Sequence, residues 1–214
     1  MMSTHKPIYL DNHSTTRCDP VVVDHMLPYF TEMYGNAASR THRFGFEAKS
    51  VVEWAREQIG ALIGCSPKEV IWTSGATEAN NIAVLGTATG MESKGKHVIV
   101  SQIEHKAVLE AADELERRGW TVTRIAPGTN GIVPVERVVH AFRPDTTLVS
   151  IMHANNEVGT IQPIREIGQH CRQAGIAFHV DAVQAAARLP IRVEDNCIDL
   201  LTLSAHKMLS LIHI

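Results

Sequence analysis

Residues 147–154 read TLVSIMHA, and this run decides how the chain folds. Apolar and polar residues do not alternate along it, so a strand built from it has both faces buried. Such a strand belongs inside a sheet that is covered on both sides. Just upstream, VERVVHAF (135–142) reads as a short helix and RPDT (143–146) as a turn. Downstream, IREIGQHCRQAG (164–175) has helical periodicity and stops at Gly175. A strand between two helices is the repeating unit of a parallel sheet.

The same alternation extends in both directions. Toward the N-terminus lie strand WTVTRIAP (120–127), helix AVLEAADELERRG (107–119) and strand HVIVS (97–101). The helix turns Val108, Ala111, Ala112 and Leu115 inward, and Gly119 is its expected C-cap. Further back, ATEANNIAVLGTA (76–88) reads as a helix and EVIWTSG (69–75) as a short β-branched strand. EAKSVVEWAREQIGALIG (47–64) places Val51, Ala55, Ile59 and Leu62 on one helical face before Gly64. Toward the C-terminus, IAFHVDA (176–182) and IDLLTLSAH (198–206) are the last two strands. The expected fold is α/β, with a mostly parallel sheet and helices on both faces.

Composition excludes several function classes. The 214 residues are 44% hydrophobic and 20% charged, with a net charge of -3, so no basic field advertises nucleic-acid binding. No apolar run approaches the roughly 20 residues that span a bilayer, and the start, MMSTHKPIYLDN, has no signal-peptide core, which points to the cytoplasm. Cys18, Cys65, Cys171 and Cys197 form no CxxC pair, and the twelve histidines form no HExxH, so no metal site is expected.

In open parallel sheets ligands bind beyond the carboxyl ends of strands, so the polar residues there carry the functional reading. Ser74-Gly75-Ala76-Thr77-Glu78 is either a phosphate cradle at a helix start or an ordinary turn. His105 follows HVIVSQI and either stacks on a flat ligand or lies on the surface. Asn155 and Asn156 follow TLVSIMHA and either donate to a ligand oxygen or shape a turn. Asp181 ends a buried apolar strand and requires a cation, from an arginine or from a protonated ring nitrogen on a ligand. Gln184 lies three residues on. Ser204, His206 and Lys207 close the last strand, where a lysine can form a Schiff base or be solvated. Together these are the parts of a pyridoxal phosphate site. A dinucleotide is the alternative ligand for such a sheet, but no GxGxxG follows the first strand.

Seven segments resemble, in order, the motifs of the cysteine desulfurases, a class V branch of fold-type I pyridoxal phosphate enzymes. They are IYLDNHSTT (8–16), GNAASRTHRFG (35–45), IWTSGATEANN (71–81), SQIEHKAV (101–108), SIMHANNEVGTIQPI (150–164), HVDAVQ (179–184) and SAHK (204–207). The resemblance implies that Lys207 holds the cofactor covalently, that His105 stacks on its ring, that Asp181 partners the ring nitrogen and that Gln184 bonds the ring hydroxyl. Asn156 is implied near the ring and the substrate carboxylate, and Ala76, Thr77, Ser204 and His206 at the phosphate. Lys207 and His105 are the implied catalytic residues. His13 departs from the family, which has a small residue there.

The implied cofactor is pyridoxal 5'-phosphate and the implied reaction converts L-cysteine to L-alanine, with the sulfur passed to a catalytic cysteine and on to an acceptor or iron–sulfur scaffold protein. A homodimer is implied, without nucleic acid or membrane. A selenocysteine lyase or an aminotransferase of the same class, and a non-catalytic binding module, are the alternatives. None of the four cysteines matches the family's sulfur-accepting one. The domains expected are an N-terminal segment (1–18), an incomplete, truncated cofactor-binding large domain (19–208) and a non-native tail (209–214). The tail LSLIHI is what CTG TCT CTT ATA CAC ATC encodes, which resembles a sequencing adapter, and it is expected to dock nowhere in particular.

Overall fold

The computed structural model describes residues 7–211; the ends of the expected N-terminal segment (1–6) and tail (212–214) lie outside the described residues. Five strands form one parallel sheet in the order β2-β1-β3-β4-β5. They are β1 (His97–Ser101), β2 (Thr121–Ile125), β3 (Thr146–Ser150), β4 (Ala177–Asp181) and β5 (Leu200–Thr202). Every residue of β1 and of β3 is buried, as the unbroken apolar run requires.

Helices cover both faces. Val98, Val100 and Leu148 meet Val108, Ala111, Ala112 and Leu115 of α5 (Lys106–Arg117) on one side. Val84 and Ala88 join them there. These two come from one continuous helical rod made of α3 (Ala76–Asn81), a π-turn over Ile82–Gly86 and α4 (Thr87–Gly90). Ile99, Val149, Phe178 and Val180 point the other way, onto Val138 of α6 (Val135–His140) and Ile164, Ile167 and Cys171 of α7 (Ile164–Ala174). Alternate residues of each strand thus enter two separate cores, the signature of a doubly wound sheet. Gly175, at φ 64°, closes α7 as its C-cap. On α5 the cap is Arg118, one position before the expected Gly119, which takes φ 82°.

Three expectations need correction. EVIWTSG is not a strand. Residues 70–73 have no regular secondary structure after a 3₁₀ turn (Pro67–Glu69), and no described strand pairs with them. The Arg56 guanidinium takes the Val70 carbonyl, and Ile71 remains 72% exposed. A β-branched run becomes a strand only where a partner offers its edge. On α2 (Arg43–Ile63), Leu62 is exposed and Ile63 is buried in its place, because the face of Val51, Ala55 and Ile59 continues four residues on to Ile63. The tail is not wholly undocked either: Leu209, the C-cap of a 3₁₀ turn (Ala205–Met208), accepts a 2.8 Å bond from the Asp19 amide.

One helix escaped the sequence reading. Asp19 caps α1 (Pro20–Thr31), with Pro20 at its first position, yet α1 buries none of its residues.

Candidate active site

The strand order reverses between β1 and β3, since β1 leads outward to β2 while β3 leads to β4 and β5. The crevice beyond the carboxyl ends at such a point is the natural ligand site. Asp181 ends β4 and is only 4% exposed. Its carboxylate accepts from the Asn80 amide at 2.8 Å and from the Val183 backbone N–H at 3.0 Å. Burial pushes its pKa up, while the two hydrogen bonds and the nearby His105 imidazole pull it back. No arginine or lysine balances this charge in the structure described, so a cationic ligand atom remains the partner that Asp181 suits.

His105 lies at the end of the β1 loop, exposed, and caps α5 by accepting from the Ala107 amide at 3.2 Å. Its neighbour Glu104 points inward and is 6% exposed. One Glu104 oxygen accepts from the Ser101 hydroxyl and from the Met152 amide, the latter at 2.7 Å. Burial, with a contribution from Asp181, pushes its pKa up to about 8. Next to Met152, His153 donates its backbone N–H to the Asp181 carbonyl at 2.9 Å, and burial lowers its imidazole pKa. Three side-chain atoms in this neighbourhood, Asn80 Oδ1, Glu104 Oε2 and His153 Nδ1, are buried with no hydrogen-bond partner among the described residues. Such groups are rare in a folded interior and mark sites awaiting a ligand, a water or a proton.

Lys207 lies on the 3₁₀ turn after β5 and is 7% exposed. Its amine donates to the carbonyls of His13 and of Ser14, the latter at 2.5 Å. The Gln184 amide donates to the same His13 carbonyl at 3.1 Å. One carbonyl of the N-terminal segment therefore gathers side chains from the ends of β4 and β5. Burial lowers the Lys207 pKa, Arg188 lowers it further, and Asp11 partly opposes both. A lysine held this way is closer to the neutral amine that nucleophilic chemistry needs. The segment is itself anchored, since Thr16 donates to the His206 carbonyl at 2.5 Å, and His13 pairs with Asp11 at 2.7 Å.

The remaining predicted residues divide. Ser204 lies 2.9 Å from His206 Nδ1, both beside Lys207. Ala76 and Thr77 begin α3, where a Cβ on Gly75 would meet nothing within 4 Å, so the space before this helix start is open. Glu78 reaches back to the Ser74 amide and hydroxyl, at 2.6 and 2.7 Å. Asn156 is not turned toward Asp181 or Lys207; it donates to the adjacent Glu157 carboxylate at 2.7 Å. Asn155 is the buried member of that pair. It donates to the Ile103 carbonyl at 3.0 Å and accepts from the amides of Glu157 and Val158. Sequence reasoning gave no role to Asn80, Glu104 or His153. The available signal was a polar residue inside otherwise apolar positions next to a strand end.

Among the described residues no cluster of three or more His, Cys, Asp or Glu side chains could hold a metal ion, and no helix is long and apolar enough to cross a membrane.

Known proteins match this chain over nearly all its length. The family model for aminotransferase class-V matches residues 8–211. The cysteine desulfurase IscS of Anaeromyxobacter sp. (strain Fw109-5) is 54% identical over 202 residues, covering 94% of this chain and 50% of the relative. That of Shewanella sp. (strain W3-18-1) is 50% identical over 204 residues, with the same coverage of 94% and 50%. Among solved structures, SspA in complex with cysteine superimposes with a TM-score of 0.91 at 38% identity, over 94% of this chain and 58% of that one. DndA from Streptomyces lividans gives 0.84 at 45% identity, over 96% and 57%. The chain thus spans about half the length of the relatives it matches.

Proposed function

Because the chain belongs to the aminotransferase class-V family, we propose that it forms the cofactor-binding part of a pyridoxal 5'-phosphate-dependent cysteine desulfurase. The observation that carries this reading is the convergence of Lys207 and Gln184 on one carbonyl, beside the strand whose end bears a buried carboxylate with no lysine or arginine partner among the described residues. The residues present fit the cofactor. Asp181 would face the ring nitrogen, Lys207 would hold the cofactor covalently, His105 would lie on the ring, and Gln184 would meet the ring hydroxyl. The open start of α3 at Ala76 and Thr77, with Ser204 and His206, would take the phosphate. Asn156 would serve the substrate side once its amide leaves Glu157. When bound, the cofactor supplies an electron sink for bond breaking at the substrate α-carbon.

The chain's own residues supply the rest. Asp181 would offer a negative charge to the ring nitrogen, and the Asn80 amide holds the Asp181 carboxylate in place. The Lys207 amine, with its proton affinity lowered by burial, is the group able to carry a proton to and from the substrate α-carbon. Cys171 and Cys197 are poor candidates to receive sulfur. One lies near the end of α7 and the other just before β5, both toward the amino ends of the strands, away from Lys207. The substrate proposed is L-cysteine, and the sulfur passes to an acceptor or iron–sulfur scaffold protein. The working unit proposed is a cytoplasmic homodimer. Support for a second copy comes from α1, which leaves Val21, Leu27 and Phe30 at least 56% exposed.

Borohydride reduction of the protein mixed with pyridoxal 5'-phosphate, followed by peptide mass spectrometry, tests this. The cofactor mass is expected on the peptide containing Lys207, and Lys207→Ala is expected to abolish both that adduct and the visible absorbance. Retention of the cofactor on another lysine, with Lys207 unmodified, would overturn the assignment.

A further inference from the structure

Glu104 has the burial and bonding of a group with a purpose of its own. It spans the crevice between β1 and β3 where the strand order reverses. One oxygen accepts from Ser101, the last residue of β1, and from the Met152 amide in the segment that leaves β3. A second tie crosses the same crevice, from the Asn155 amide to the Ile103 carbonyl at 3.0 Å. Residues 103 and 104 are therefore fastened to the β3 side immediately before His105, while the His105 ring is held by the Ala107 amide on its own helix. The other Glu104 oxygen is buried without a partner among the described residues. An ionised carboxylate left in that condition would carry a large desolvation cost. The titratable groups nearby add no compensation: Asp181 at the end of β4 is another acid, His153 beside Met152 is a buried imidazole whose own charged form burial disfavours, and His105 lies on its own loop and acts on Asp181. Burial is the main force against ionising Glu104, and the neighbouring Asp181 carboxyl adds to it.

We infer that Glu104 is a positioning residue: a neutral carboxylic acid that spans the switch point and sets the place of the His105 ring, leaving the negative charge of the site to Asp181. This rests on the functional reading above for the importance of His105, but the state of Glu104 is a property of the protein without cofactor. If Glu104 keeps its proton in the folded protein and loses it near pH 4.5 when unfolded, stability must change with pH. The folded form binds one more proton than the unfolded form between pH 4.5 and about 8, so stability falls as pH rises through that window and levels off above it. One proton corresponds to a tenfold drop in the folding constant for each pH unit.

The test compares wild type with Glu104→Gln and Glu104→Ala. Denaturant unfolding of the cofactor-free proteins from pH 5 to 9 gives the folding constants. Glutamine accepts the same two hydrogen bonds and cannot ionise, so the ratio of its folding constant to that of wild type is expected to rise about tenfold per unit from pH 5 to 8 and then stay flat. A ratio that is constant with pH means that Glu104 is ionised or indifferent in the folded protein and overturns the inference. Titration with pyridoxal 5'-phosphate supplies the second arm. Alanine, which drops both bonds, is expected to weaken binding at least tenfold, and glutamine to restore it. Binding by Glu104→Ala equal to wild type overturns the positioning role. If wild type itself binds no cofactor, the functional reading fails, while the pH arm still decides the state of Glu104.

Discussion

His179 lies two residues before Asp181 and ties three strands together. Its ring is 2.8 Å from the Ser150 hydroxyl on β3 and 3.1 Å from the Thr202 hydroxyl on β5. The side chain is completely buried, and desolvation pushes its pKa from 6.5 down to about 4. A histidine that stays neutral in the fold but charges in the unfolded chain makes stability depend on acidity. Between pH 4 and 6.5 the unfolded state binds the extra proton, so stability is full above 6.5, falls as pH drops through that window, and levels off below 4. The slope is about 1.4 kcal/mol per pH unit, so the loss from pH 6.5 to 5 is about 2 kcal/mol, a large share of a typical domain's stability. The lowered pKa values of His97 and His153 act in the same direction, and a variant isolates the effect of His179. His179→Gln replaces the rigid ring by a flexible amide and is expected to lose about 1–3 kcal/mol at pH 7 where a hydroxyl contact is lost. The informative quantity is the change between pH 6.5 and 5, measured by urea unfolding followed by tryptophan fluorescence. It should be smaller in the variant by about 2 kcal/mol, whatever the baseline loss. Equal acid sensitivity in the two proteins would refute the reasoning, because His179 would then titrate in the fold as it does in water.

Two further outcomes follow from the same geometry. Asn80→Ala removes a hydrogen bond to the Asp181 carboxylate, a charge-assisted contact of about 1.5–3 kcal/mol, so pyridoxal 5'-phosphate should bind roughly tenfold or more weakly in a fluorescence titration; unchanged affinity would mean that Asn80 gives Asp181 no support. Burial pushes the Cys171 thiol up to about 12, leaving almost no thiolate at pH 8, so mass spectrometry after brief alkylation should find the partly exposed Cys18 modified and Cys171 intact until denaturant is added; early loss of the Cys171 thiol would show that α7 opens readily.

What the sequence reveals here is burial more readily than pairing. The run TLVSIMHA could be read because a strand covered on both faces must be apolar throughout, and α5 because Val108, Ala111, Ala112 and Leu115 repeat at the helical period. EVIWTSG carries the same composition as a buried strand, yet Ile71 and Trp72 stand in the open, because composition does not say whether another strand lies alongside. The site divides along the same line. Asp181, His105 and Lys207 follow strand ends, and the topology of a parallel sheet alone brings strand ends together. The residues that prepare them do not follow this rule. Asn80 meets Asp181 across 101 positions of sequence, and Glu104 meets Met152 across 48. Each stands as a polar residue among buried neighbours, Asn80 ahead of Ala83 and Val84, Glu104 ahead of Ala107 and Val108. A polar side chain at such a position is costly unless the fold provides a partner, so its presence implies a partner before the partner can be named. For Asn80 that partner is Asp181, the buried acid of the candidate site. For Glu104 only one oxygen finds partners among the described residues, and the proton assigned to the carboxyl removes the charge that the other oxygen could not sustain.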